Sequence, residues 1–116
     1  MDAWLAIAFA GTDVPVFYDW RLRECNYGAL NGAPHEELEM AKHVDIPFPG
    51  GESYRDVVAR IESFLVDVRR GWDGRRVVTV SHAAPRWALQ HVLDGVPLER
   101  LVGAPFEWQP ASVFSL

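Results

Sequence analysis

Between residues 54 and 68, apolar side chains recur every three or four positions: Tyr54, Val57, Val58, Ile61, Phe64, Leu65 and Val68. That period places them on one face of an amphipathic α-helix of about four turns. Ser53 stands where an N-cap belongs, Asp56 in the first turn suits the positive end of the helix dipole, and Gly71 and Gly74 end the run. Downstream the pattern changes. Residues 76–81 form a continuous apolar stretch rich in β-formers, Val77-Val78-Thr79-Val80, which predicts a strand buried on both faces of a sheet. The stretch ends in Ser81-His82, and Ala84-Pro85-Arg86 follows at once. Helices are predicted over about 85–94 and, more briefly, 98–102.

Upstream, the apolar stretch from Trp4 to Ala10 predicts a buried helix from about residue 3, with Asp2 as its N-cap and Gly11 just past its end. Residues 14–20 alternate and read as a strand with Pro15 near its start. Residues 21–33 carry Asn26, Gly28, Asn31 and Gly32 and read as a loop. Pro34 suits the first position of a helix that runs through Glu36, Glu37, Leu38 and Met40 to about His43. Residues 45–51 are a Pro/Gly turn, and residues 106–115 alternate around Ser112, Val113 and Phe114 as a final strand. Helices and strands in this order predict an α/β fold with helices packed over a sheet.

The bulk numbers narrow the function. A chain of 116 residues, 49% hydrophobic and 23% charged, is one soluble globular domain spanning 1–116 rather than a disordered segment. The net charge is −5 and basic residues are interspersed with acids, which argues against a nucleic-acid surface. Cys25 is the single cysteine, so no intrachain disulfide framework exists, and a reducing, cytoplasmic setting is expected. Ala8-Phe9-Ala10 faintly resembles a signal-peptidase site, but Asp2 stands where a signal carries basic residues. The apolar stretch is also far too short to span a bilayer, so no membrane partner is expected.

Candidate chemistry gathers at two places. His82 closes a predicted strand, where α/β proteins collect ligands, although a histidine there is as readily an ordinary hydrogen-bonded polar group. Glu24 follows Arg21 and Arg23 just past another strand end. Neighbouring guanidinium groups favour an ionised carboxylate, so general-acid work would need burial or a bound anion; a loop ion pair explains the same residues. Arg86 at the start of a helix has reach to a phosphate, or forms a surface ion pair. Cys25 is disfavoured as a nucleophile because the adjacent Glu24 charge opposes the thiolate. His35, Glu39 and His43 share a helix face, but i and i+8 lie about 12 Å apart, too far for one metal ion.

Taken together these patches resemble a family. Arg21-Leu22-Arg23-Glu24-Cys25-Asn26-Tyr27-Gly28-Ala29-Leu30-Asn31-Gly32 is similar to a segment of the phosphoglycerate mutase-like histidine phosphatases. Phe48-Pro49-Gly50-Gly51-Glu52-Ser53 is similar to that family's turn before a long helix, and Val77 to His82 to its strand bearing the second histidine. The resemblance runs from about residue 3 to residue 116. It implies a three-layer α/β/α sandwich, phosphate-monoester substrates and no metal or other cofactor. It gives Glu24 the role of general acid to the leaving group and His82 that of the second histidine on the transferring phosphoryl group. Such transfer leans on preorganised positive donors, and Arg21, Arg23 and Arg86 are candidate phosphate partners.

The resemblance also implies a nucleophilic histidine in an Arg-His-Gly motif, and a later arginine in an S-x-L-x-R-A segment. Neither motif occurs: His35, His43 and His91 lie in Pro-His-Glu, Lys-His-Val and Gln-His-Val contexts. By this resemblance the domain is truncated at its amino end, starting inside the helix after the arginine segment, with an incomplete sheet. Residues 76–81 would then lack neighbours on both edges. Rearrangement of the remaining strands, or a homodimer that completes the sheet, is expected. The function expected is that of a phosphatase-like or mutase-like domain, inactive as this chain. The alternatives are a non-catalytic phosphate-binding or regulatory module, and an active phosphohydrolase completed by another chain or by upstream sequence.

Overall fold

A computed structural model describes residues 10–105 and 111–116. The helix expected over residues 3–10 lies almost wholly outside the described residues, as does the first half of the strand expected over 106–115.

The fold is organised by helix α1, Tyr54–Gly71. The Ser53 hydroxyl accepts from the Asp56 amide at 3.1 Å, and the Asp56 carboxylate accepts from the Ser53 amide at 2.9 Å. This reciprocal capping satisfies two amides that a helix start leaves without intrahelical partners. All seven apolar positions of the predicted stripe are buried, and Arg60 is buried with them. Full burial of such aliphatic and aromatic side chains stabilises by about 1.5–3 kcal/mol each. Helix α2, Ala83–Asp94, packs on α1 and buries Ala84, Pro85 and Ala88. Helix α3, Leu98–Gly103, buries Leu98 and Val102, packs on α2 and also meets residues 40–43.

The predicted helix over 34–43 is instead two 3-10 turns, His35–Glu37 and Met40–His43, separated by Glu39 with a left-handed φ of 48°. A continuous α-helix would set Leu38 and Met40 about 200° apart. The break lets Leu38 lie buried in the core while Met40 also packs against it.

The predicted sheet and its three layers are not seen: among the described residues there is no β-strand. Residues 76–81 belong to no strand, and 76–80 are exposed; of the strand expected over 14–20, residues 14–19 belong to none and Trp20 opens a 3-10 turn. Residues 111–115, from the expected last strand, form none either. The physical reason is the partner requirement of a ladder: a strand's N–H and C=O groups bond to a neighbouring strand, so single β-prone segments remain coil.

What positions the site is the contact between two loops. Residues 48–52 make a tight turn, with the Gly51 amide on the Phe48 carbonyl at 2.8 Å. This turn lies flat on residues 26–29: the Ala29 amide donates to the Pro49 carbonyl, and the Glu52 amide to the Asn26 carbonyl, each at 2.8 Å. The approach requires glycine on both sides. A Cβ on Gly51 would stand 2.7 Å from the Gly28 nitrogen, and one on Gly28 2.6 Å from the Gly50 carbonyl carbon.

Candidate functional site

The segment that carries Glu24 starts at Asp19, whose carboxylate caps the 3-10 turn Trp20–Leu22. Asp19 Oδ1 accepts from the Arg21 amide at 2.9 Å, and its Oδ2 pairs with Arg21 Nη2 at 2.8 Å. Hydrogen bonding to Arg21 holds the Asp19 carboxyl below its ordinary value, and the same contact raises the Arg21 guanidinium. Arg21 Nη1 also reaches α1, donating to Ser63 Oγ at 3.0 Å and Asp67 Oδ2 at 2.7 Å. Arg21 thus ties the turn to α1. Arg23 is exposed, with its guanidinium 5.9 Å from the centre of the Trp20 ring.

Glu24 is held from three directions. Its carbonyl accepts from Arg60 Nη2 at 3.0 Å. Its Oε1 accepts from the Cys25 amide at 2.8 Å and from the Ala84 amide at 3.2 Å. Ala84 lies in the first turn of α2, and His82 is the N-cap of that helix with extended φ and no side-chain capping bond. A helix start leaves its first amides free and carries positive potential, so a carboxylate from a distant loop is a favourable partner. Ser81 adds a second tie, its Oγ donating to the Leu22 carbonyl at 2.5 Å.

Glu24 and His82, the two residues singled out by sequence, are therefore brought together at the amino end of α2. The His82 ring is exposed and makes no hydrogen bond among the described residues. Arg86 is in the same first turn, its amide bonded to the His82 carbonyl at 3.2 Å and its Nη2 to Ser112 Oγ at 2.8 Å. A half-buried carboxylate bonded to a helix start whose N-cap residue is an exposed histidine can handle an anion and a proton at the same helix end.

The surroundings are apolar. Tyr27 stacks edge-on against Phe48 at 4.9 Å, and Tyr54 against Trp87 at 5.5 Å, with the Tyr54 hydroxyl 3.3 Å from that of Tyr27. Burial pushes the Tyr27 hydroxyl up to about 12 and raises that of Tyr54, so both stay protonated near neutrality. Burial, then the charges of Glu52 and Glu24, push the Cys25 thiol up to about 12. Cys25 is a core side chain beside the site. His43 stacks on Phe48 at 3.9 Å with Nδ1 2.9 Å from the Ile46 carbonyl, and Glu39 pairs with Lys42. Among the described residues no group of three or more His, Cys, Asp or Glu side chains is placed to hold a metal ion.

Sequence reasoning missed Arg60 and Glu52. Arg60 Nε donates to Glu52 Oε2 at 2.9 Å and Nη2 to Oε1 at 3.1 Å, while Glu52 Oε1 also accepts from the Asn26 amide. The signal was present: residue 60 falls on the helix face of residues 57, 61 and 64, where an arginine is out of place unless paired.

Among known proteins, the chain is similar to phosphoglycerate mutases and to a phosphatase. A 2,3-bisphosphoglycerate-dependent phosphoglycerate mutase of Methylobacterium sp. (strain 4-46) is 32% identical, over 78% of this chain and 50% of that protein. One from Beijerinckia indica subsp. indica is 34% identical, over 82% and 52%. Phosphoserine phosphatase 1 of Hydrogenobacter thermophilus is 32% identical, over 76% and 46%. The chain thus spans about half the length of the curated relatives it matches. Residues 4–116 match the family pattern of the histidine phosphatase superfamily (branch 1). With that match covering nearly the whole sequence, the chain belongs to the histidine phosphatase superfamily, branch 1, an α/β family.

Proposed function

We propose that this chain carries the acid and second-histidine half of a phosphate-monoester site and does not turn over substrate by itself. The observation that carries this reading is the Glu24 carboxylate on the Ala84 amide, two residues beyond His82. In this reading His82 and the start of α2 bind the phosphoryl oxygens, where positive donors are worth most, and Glu24 supplies the proton to the leaving oxygen. Arg86, in the same turn, and the exposed Arg23 assist with the anion. Arg21 is already engaged by Asp19 and Asp67, so its share is to hold the loop. No Arg-His-Gly occurs in the 116 residues, so no side chain is assigned to receive the phosphoryl group. The named relatives act on phosphorylated three-carbon compounds, which makes small phosphate monoesters the substrate class to test.

A second reading, a phosphate-binding module without chemistry, is favoured by the exposed His82 ring with no hydrogen bond among the described residues. One experiment separates the two from an active enzyme. The chain is incubated with an aryl phosphate, and its thermal unfolding is followed with and without inorganic phosphate. No turnover is expected. Turnover that disappears in His82→Ala would overturn the inactive reading. Phosphate-dependent stabilisation lost in His82→Ala supports binding at this site, and turnover only on addition of a chain carrying Arg-His-Gly would show completion by another chain.

A further inference from the structure

The backbone carbonyls of residues 21–24 are held by side chains rather than by secondary structure. Arg60 Nη1 takes the Arg21 carbonyl at 2.5 Å and the Arg23 carbonyl at 2.8 Å, and Nη2 takes the Glu24 carbonyl at 3.0 Å. The Leu22 carbonyl goes to Ser81. With the two contacts to Glu52, all five N–H donors of the guanidinium are used, and its side chain is only 5% exposed. Four consecutive carbonyls thus depend on Arg60 from α1 and Ser81 beside His82.

A buried ion pair is weak evidence of stabilisation, because desolvating two charges offsets most of their attraction. Geometry is the better account of its presence. A planar fork addressing three carbonyls and a carboxylate at once fixes where the next side chain starts, which a lysine ammonium cannot reproduce. We propose that Arg60, seated by Glu52, is a positioning residue for Glu24, setting its carboxylate against the start of α2 and beside His82. The proposal rests on the reading of Glu24 and His82 as one phosphate site.

The test uses the full chain and the variants Arg60→Lys, Glu24→Ala and Glu24→Gln. The first readout is the amide resonance of Ala84, whose proton bonds to Glu24. Glu24→Ala moves it, and Arg60→Lys is expected to move it in the same way while resonances later in α2 stay in place. An Ala84 resonance unchanged in folded Arg60→Lys overturns the proposal. The second readout is the affinity for inorganic phosphate. Removing one negative charge about 4 Å from a bound anion in watery surroundings is worth roughly fivefold. Glu24→Gln should therefore tighten phosphate binding by about that factor in the native background and by less than about twofold in Arg60→Lys. An equal gain in both backgrounds overturns the proposal. A native chain that binds no phosphate defeats the site reading instead, and the Ala84 resonance still decides the positioning role. Should Arg60→Lys not fold, Glu52→Gln, which keeps the shape of the partner and removes its charge, is read by the same resonance.

Discussion

Glu24 Oε1 accepts the amide of Ala84 at 3.2 Å across sixty positions of sequence. The same oxygen accepts the Cys25 amide at 2.8 Å, so one carboxylate closes both its own loop and the start of α2. The consequence is mutual. The helix start gains a partner for an amide it could not satisfy internally, and the carboxylate gains a fixed position on the helix that His82 caps.

Glu24→Ala strips the partner from two part-buried amides. Leaving such donors unsatisfied costs about 1–3 kcal/mol. Glu24→Gln keeps an accepting oxygen and should cost about 1 kcal/mol or less. Urea denaturation of the two variants, compared at equal m-values, checks the order.

Arg60→Met leaves the Glu52 carboxylate and three loop carbonyls without their buried donor. Breaking a buried pair from one side destabilises by about 3–5 kcal/mol. Replacing Glu52 as well removes the stranded charge, so the double variant Arg60→Met/Glu52→Leu is expected to regain part of the loss. A double variant less stable than the sum of its singles would show that packing, not charge, governs the site.

Two glycines with left-handed backbones should respond differently. Gly32 has φ of 84° and open space where a Cβ would go, so Gly32→Ala costs only the backbone strain, about 1–2 kcal/mol. Gly28 has φ of 57° and would drive its Cβ into the 49–51 turn, adding about 1–3 kcal/mol of overpacking. Thermal unfolding should rank Gly28→Ala well below Gly32→Ala. Equal losses would mean that the two loops separate freely.

Burial makes Cys25 a poor nucleophile in the folded chain, with its thiol at about 12 against an ordinary 9.0. A disulfide reagent at pH 8 should react slowly with native protein and fast once it is unfolded. The linkage has a definite sign. Because the folded state keeps the proton longer, this contribution to stability is full below about pH 9 and is lost as pH rises toward 12. Cys25→Ala should therefore flatten the alkaline decline in stability over that window.

How much of this was legible in the sequence depended on whether the deciding contact was local. Helix α1 was fully readable, since its apolar period and its Ser53–Asp56 cap lie within one segment. Glu24 and His82 are singled out by motif, and the structure adds the hydrogen bond that joins their segments. The 34–43 region misled because its helical pattern competes with burial of both Leu38 and Met40, which the break at Glu39 resolves. Arg60 was passed over because its role needs the coordinates of a loop some forty residues upstream, as its hydrogen bond to the Arg21 carbonyl shows. The strand expected at 76–81 failed for a different reason: β-propensity states what a segment suits, whereas a ladder also needs a neighbour.

That last segment yields a prediction about assembly. Val77, Val78 and Val80 are 46%, 75% and 41% exposed, an apolar β-prone run with no strand beside it among the described residues. Such a run is a template for pairing. An antiparallel pairing with a second copy, centred on Thr79, sets Val78 opposite Val80 in both directions and Val77 opposite Ser81, with no like-signed carboxylates facing each other. Light scattering at micromolar concentration is expected to give twice the 13.1 kDa chain mass. Val78→Lys places a charge at each of the two central contacts and should return the chain to monomer with its helical circular dichroism intact. A native chain that is already monomeric would sink the pairing, and the exposed valines would then have to be covered by a strand of another protein or of further sequence.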